Sequence, residues 1–458
     1  MFKKIRHIHF IGIGGSGMSG IAEVLIVSGY RVSGSDMKET DVTRRLKDIG
    51  ADVRIGHKAE NVAGAHVVVT STAVGPTNPE LTEALKRKIP VIPRIEMLAE
   101  VARLKYAITV AGTHGKTTTT SLTSLVLQAG GLDPTVVVGG RMHNIGTGAR
   151  VGRGEFVVAE ADESDGSFLK LSPTIAVVTN IDNDHLDYWG SMQPLYGAFE
   201  AYANKVPFYG AVILGVDDPG SRRLLSRVRR TMITYGLTED AEIRAVDLTV
   251  EPGKNSFVVK RKGERLGQVT WSVPGRHNVI NSLAAITVGL ELGVSFKTIV
   301  EALVSLKGVG RRLEVKGEAG GVLVVDDYGH HPTEIKATLQ ALKERWPGRR
   351  CLTVFQPHRF SRTKLLADDF AACFQGADRL FLLDVYSAGE KAIEGVDSAW
   401  LANIISKKTP VTRVTSADAA AALTDAARPG DVLLTLGAGD VWKLGEGFLQ
   451  TAAGPAKK

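Results

Sequence analysis

The sequence predicts an α/β protein of three successive units, and three observations predict it: the length, a recurring alternation of apolar strands with amphipathic helices, and glycine-rich turns between them. At 458 residues the chain allows two to four domains at roughly 100–200 residues each, with three as the central expectation. Apolar residues make up 44% and charged residues 23%, ordinary values for a folded α/β chain and too apolar for disorder. No uninterrupted apolar run approaches the ~18 residues of a membrane helix. The opening MFKKIRHIHFIGIGG reads as a first strand rather than a signal peptide, because glycines break its apolar stretch. Cys351 and Cys373 lie far apart without metal-like spacing, which suits buried thiols in a reducing compartment. The expectation is a cytoplasmic protein with no membrane partner.

The net charge is +7, but the basic residues are spread along the chain. Even RRLLSRVRR (222–230) reads as a solvated helix face, so no nucleic-acid partner is expected. A basic excess also suits an enzyme whose substrates carry phosphates and carboxylates.

The elements fall in order. HIHFIGI, MSGIAEVLIVSG, YRVSGSD and AHVVVTS give βαβ order and a parallel, Rossmann-like sheet over 1–103. A new strand, YAITVAG, opens a second unit over 104–308 that continues through FVVAEAD, TIAVVTNID and AVILGVDDP. GVGRRLEVKGEAGG, rich in glycine and charge, reads as a connector. GVLVVDDYGHHP, CLTVFQPHR, RLFLLDVYSAGE and DVLLTLGAGD then alternate with helices over 309–458, again Rossmann-like. Each of these strands ends in a polar cluster, where open α/β sheets bind their ligands.

GIGGSG fits G-x-G-x-x-G through Gly12, Gly14 and Gly17, with Gly15 and Ser16 inside it and Asp36 about twenty residues on. Glycines there let the backbone approach a pyrophosphate at a helix N-terminus, and the acid accepts from a ribose hydroxyl. Any ribose-pyrophosphate ligand qualifies, whether a nicotinamide dinucleotide or a UDP-sugar.

A second loop, Gly112-Thr113-His114-Gly115-Lys116-Thr117-Thr118, follows a strand and opens a helix, with Val110 where the usual pattern has its first glycine. It marks the second unit as a P-loop ATPase with a mostly parallel sheet: backbone amides cradle phosphates, Lys116 reaches the β and γ phosphates, and Thr117 holds Mg²⁺. Glu160, Asp162, Glu163 and Asp165 in EADESDGSF, with Asp182, Asp184, His185 and Asp187 in NIDNDHLD, end strands of the same unit. Acidic strand ends beside a P-loop are expected to supply metal ligands.

AGTHGKTTT, EADESDGSF, TNIDNDHLD, PGRHNVINSLAA, GVGRRLE, DDYGHHPTE, FQPHRFSRT, DVYSAGE and GAGD occur in that order. Together they resemble the Mur ligases, ATP-dependent amide-forming enzymes of peptidoglycan precursor synthesis, over essentially the whole chain. DDYGHHPTE and GIGGSGMSGIA look most like the member that adds the first amino acid. The resemblance implies UDP-N-acetylmuramate and L-alanine as partners, ATP and Mg²⁺ as cofactors, and outer domains that close on a central ATPase. Monomer and homodimer both remain open.

By the same resemblance, Gly12 to Gly17, Asp36, Ser71, Thr72, Asp162 and Ser164 face the UDP-sugar. Gly112 to Thr118 hold the ATP phosphates, with His277, Asn278 and Asn281 near adenine and Arg312 sensing the γ-phosphate. Thr117, Glu160 and His185 hold the metal, and Lys116, His185 and Arg359 serve catalysis. Several relatives carry a carbamylated lysine about fifteen residues after the DHLD histidine, and counting lands on Glu200, which could supply a carboxylate there or sit on a helix surface.

Chemistry asks for an amino-acid site as well. A zwitterion needs a cation for its carboxylate, and Arg359 and Arg362, three apart, can share one face of a helical turn. Tyr328, His330 and His358 complete the expected amino-acid site; the adjacent His330 and His331 read as a helix start with one buried ring, while a residue near them could accept the amine proton, the base itself staying unassigned.

Overall fold

A computed structural model describes residues 4–15, 17–71, 73–138, 149–306 and 308–452; Ser16 and Thr72 lie outside the described residues. Among those described, the strands form three sheets. The first runs Asp52–Ile55, Arg31–Asp36, His7–Ile11, Val67–Thr70, Val91–Pro93, parallel throughout. His7–Ile11 is fully buried at every position, as a strand covered by helices on both faces must be.

The central sheet has ten strands. Its parallel middle places Tyr106–Ala111 between Ile175–Val178 and Phe156–Glu160, so the P-loop and both acidic strand ends leave the sheet at one edge. The sequence reading did not foresee the antiparallel meander Ile243–Glu251, Lys254–Arg261, Glu264–Trp271 at one side. Its turn signals are nonetheless present: Gly253 has φ +82°, and Lys262 and Gly263 have φ +48° and +87°, the pair of positive angles that tight hairpins require.

The third sheet runs Glu314–Ala319, Val322–Asp327, Val432–Leu436, Cys351–Phe355, Arg379–Leu382, Val411–Arg413. All pairs are parallel except the first, where half of the expected connector is a strand. Gly320 and Gly321, at φ +58° and +76°, turn it back antiparallel onto Val322–Asp327. Both cysteines are free and buried here.

The three units do not join in the same way. One continuous apolar core contains Met18, Ile21 and Leu98 of the first unit together with Ala111, Val137, Phe168 and Phe199 of the second. The third unit has cores of its own, around Phe355 and Phe374 on one face of its sheet and Val354 and Phe381 on the other. Named contacts between the third and second units are polar: Arg345 donates to the Ser272 carbonyl at 2.7 Å, and Arg362 and Arg359 meet aspartates described below. No helix among the described residues is long and apolar enough to cross a membrane.

Candidate active site

The carboxyl ends of the three sheets converge on one cleft of about 1120 Å³, lined by residues of all three units. The first unit contributes its glycine loop. Gly12 and Gly17 take φ +77° and +80°, open to glycine at no steric cost, and lie at the N-terminus of the helix Met18–Val27. Gly12, Gly15, Gly17, Asp36 and Ser71 all line the cleft. Asp36 Oδ2 accepts the Gly14 amide at 2.9 Å, so the acid braces the loop from within as well as facing the cleft.

Two cleft residues of this unit escaped the sequence reading. Arg94, the first residue of the helix Arg94–Ala102, lies against Gly17. His57 is fixed through Nδ1 to Ser35 Oγ at 2.8 Å, and that hydroxyl donates to the buried Glu80 carboxylate at 2.6 Å. No local pattern marks either.

In the P-loop, Gly112 has φ +133° and Gly115 φ +81°. A Cβ at Gly112 would lie 2.0 Å from Thr179 Oγ1, and one at Gly115 2.5 Å from Asn281 Oδ1, so both positions exclude a side chain. The loop is held from behind by residues quoted in TNIDNDHLD but not singled out. Asn180 accepts the His114 amide at 2.8 Å and donates to its carbonyl at 3.0 Å, and Thr179 Oγ1 donates to that carbonyl at 2.6 Å. Asn281 lies on the helix Arg276–Glu291 with His277 and Asn278; its Oδ1 accepts from Thr119 at 3.3 Å and its Nδ2 donates to Asn278 at 3.3 Å. These residues back the loop; they are not part of the cleft lining. Burial and the Arg312 charge depress His277 to about 4, which leaves it neutral.

Lys116 donates to both oxygens of Glu163 at 2.8 and 3.1 Å and to the Gly112 carbonyl at 2.7 Å. Burial opposes its charge, but the carboxylates of Glu163, Asp162 and Glu160 outweigh burial and hold the ammonium protonated beyond the usual range. Burial also pushes Glu163 up to about 7 against the pull of Lys116. Asp162 accepts the Ser164 amide at 3.1 Å, and both line the cleft with Thr117, Glu160 and His185. A hydroxyl and a carboxylate suit a hard divalent cation. His185, depressed by burial, offers a neutral imidazole, and its left-handed φ of +56° is the local strain common at functional turns. The donor set fits Mg²⁺. Glu200 does not join it: its carboxylate pairs with Arg227 at 3.2 Å, as a helix-surface residue would.

The third unit closes the cleft. Tyr328, His330, His358, Arg359, Arg362 and Arg312 all line it. Arg311 and Arg312 lie over the Tyr328 ring at 5.0 and 5.1 Å from its centroid, and Tyr328 meets His330 edge-on at 5.5 Å. His330 is depressed by burial and by Arg362 to about 3, and His358 similarly to about 4, so both rings are neutral. The adjacent histidines divide as helix chemistry directs. His331 caps the helix Pro332–Arg345 with Pro332 at its first position, and Glu334 completes the capping box. His331 Nε2 also lies 3.0 Å from the Asn183 carbonyl.

The P-loop reaches this helix directly. His114 places Nε2 3.0 Å from Asp182 Oδ2 and Nδ1 3.2 Å from Glu334 Oε1, and Thr333 donates to Asp182 at 2.7 Å. Burial lowers His114, but the two carboxylates prevail and raise it to about 9. Arg362 donates through Nε and Nη2 to both oxygens of Asp184 at 3.0 and 3.1 Å, and Arg359 reaches Asp187 at 3.2 Å. The two arginines of the third unit are thus engaged by aspartates of the second.

A P-loop and two flanking sheets around one cleft lined by acids and arginines mark an enzyme that uses a nucleoside triphosphate on an anionic substrate. The Mur ligase family models match in succession: the Mur ligase family catalytic domain over 7–106, the middle domain over 110–289 and the glutamate ligase domain over 311–439. The chain belongs to the Mur ligase family. It is 55% identical over 453 residues to the UDP-N-acetylmuramate–L-alanine ligase of Geobacter sulfurreducens, covering 98% of each chain. It is also 55% identical over 450 residues to that of Endomicrobium trichonymphae, covering 98% of this chain and 99% of the other. The solved structure of the Thermotoga maritima UDP-N-acetylmuramate-alanine ligase superposes with a TM-score of 0.82 at 29% identity, over 97% of this chain and 98% of that one.

Proposed function

We infer that the protein joins L-alanine to the carboxylate of UDP-N-acetylmuramate, converting ATP to ADP and phosphate, in the cytoplasmic stage of peptidoglycan precursor synthesis. The observation that carries this reading is the single cleft onto which the Gly12 loop, the Lys116 loop and the Arg359 turn all open. It explains why one chain has two phosphate-gripping turns: residues 1–103 hold the UDP-sugar, 104–308 hold ATP, and 309–458 hold the amino acid.

A carboxylate resists an amine because its carbon is a poor electrophile and oxide does not leave. Transfer of the γ-phosphoryl group makes an acyl phosphate, which the amine attacks with loss of phosphate. Lys116 neutralises charge that grows on the transferring group, drawn there from its Glu163 and Gly112 partners. Mg²⁺ bound by Thr117, Glu160 and His185 would add to that neutralisation. Gly112 to Thr118 position the phosphates through their amides, and Arg312, stacked on Tyr328, points a further cation into the cleft. Closure of the third unit, through contacts such as His114 to Glu334, excludes water that would hydrolyse the acyl phosphate. Tyr328 and His330 narrow the amino-acid end of the cleft, which favours a small side chain.

Purified protein with ATP, Mg²⁺ and UDP-N-acetylmuramate, offered each of twenty amino acids, should release phosphate with L-alanine far above the rest. Phosphate release indifferent to the amino acid would count against the assignment.

A further inference from the structure

Arg359 and Arg362 sit one turn apart yet meet the central unit on unequal terms. Arg362 and Asp184 have side chains only 5% and 7% exposed and share two hydrogen bonds. Separating them would leave a buried carboxylate or guanidinium unpaired, a heavy penalty. Arg359 and Asp187 are 34% and 35% exposed and share one contact, Nη1 to Oδ2 at 3.2 Å, which water can replace at little cost. Arg359 also holds a positive φ, +71° with ψ 136°, at the start of the helix Phe360–Leu365, a strained conformation for a residue with a side chain. Its other acidic neighbour, Glu390, is 3.7 Å away. That carboxylate is committed to the Ser361 amide and hydroxyl at 3.1 and 2.7 Å and belongs to the same unit as Arg359.

Of Asp187 and Glu390, the acidic neighbours of Arg359, Asp187 is the one that belongs to the second unit. We propose that Asp187 is a stand-in for the substrate carboxylate: it occupies the Arg359 guanidinium until the amino acid arrives and displaces it. Arg362 and Asp184 keep the two units together during the exchange. Asp187 is therefore a positioning residue that sets amino-acid affinity by competition, and this rests on the ligase reading above.

The test is Asp187→Asn in the full chain. The KM for L-alanine should fall about two- to fivefold, the range that releasing a partly exposed ion pair yields, with kcat and the KM for ATP and UDP-N-acetylmuramate unchanged. Alaninamide, which has the amine without the carboxylate, should show the same KM with both proteins. In an Arg359→Ala background, Asp187→Asn should leave the L-alanine KM where Arg359→Ala put it. An unchanged or raised KM for L-alanine, or an equal fall for alaninamide, overturns the proposal while leaving the ligase assignment intact. Absence of alanine-dependent phosphate release by the unaltered chain overturns both.

Discussion

Arg362 and Asp184 face each other across the boundary between the third and second units, each almost wholly buried, with two hydrogen bonds of 3.0 and 3.1 Å. Burial works against the Asp184 charge, and Arg362 outweighs it, holding the carboxyl far below the usual range. Arg362→Ala strands that carboxylate, a change that costs about 3–5 kcal/mol where it cannot rehydrate. Thermal unfolding should show the third unit loosening, and kcat should drop steeply; Arg362→Lys should recover only part, because an ammonium cannot form the fork.

His114 gives the same boundary a pH dependence. Its pKa is raised from 6.5 to about 9 in the folded chain by Asp182 and Glu334, so the stability it confers is complete below pH ~6.5 and is lost as pH rises through ~9. Stability measured across that window should decline. His114→Gln, which keeps a donor but not a charge, should flatten the decline; an unchanged slope would show that another group is responsible.

Lys116→Ala should abolish ADP formation while UDP-sugar affinity, measured by calorimetry, stays within about twofold, less than 0.5 kcal/mol. Loss of both would mean that the two loops do not serve separate ligands. The substitution also leaves Glu163 buried without its cation, which raises its carboxyl further.

Gly115→Ala places a Cβ 2.5 Å from Asn281 Oδ1 at φ +81°. The left-handed backbone alone costs roughly 1–2 kcal/mol for a side-chain-bearing residue. ATP affinity should fall at least tenfold, while UDP-sugar binding is spared.

Tyr328 carries two guanidiniums over its ring and packs against His330. Tyr328→Ala should relax discrimination against larger amino acids by the ~10–200-fold that a change of pocket volume controls. Competition assays between alanine and valine or leucine would measure this, and retained discrimination would move the specificity determinant elsewhere.

What the sequence made legible was local. Gly12, Gly17, Gly112 and Gly115 could be read as turns because each junction needs a positive φ and glycine supplies it. The strand-end clusters could be read because period and polarity change together. The grip of Glu163 on Lys116 joins residues 47 apart, and that of Asn180 on His114 residues 66 apart; such pairings depend on which strands become neighbours. Spacing placed Arg359 and Arg362 on one turn, but it could not say that Asp184 and Asp187 would engage them from another unit. The hairpin at Lys262 and Gly263 was written locally and overlooked, and the strand Glu314–Ala319 was masked by its glycines and charges.

The apolar core shared by the first two units has a dynamic consequence. Pulling an apolar seam apart exposes hydrocarbon to water at a cost that grows with its area, whereas a polar boundary can exchange protein partners for water, with the buried Arg362–Asp184 pair as its point of resistance. The first two units are therefore expected to move as one body, with relative motion concentrated at the polar boundary of residues 309–458, a hinge-type motion that would fall on the microsecond-to-millisecond scale.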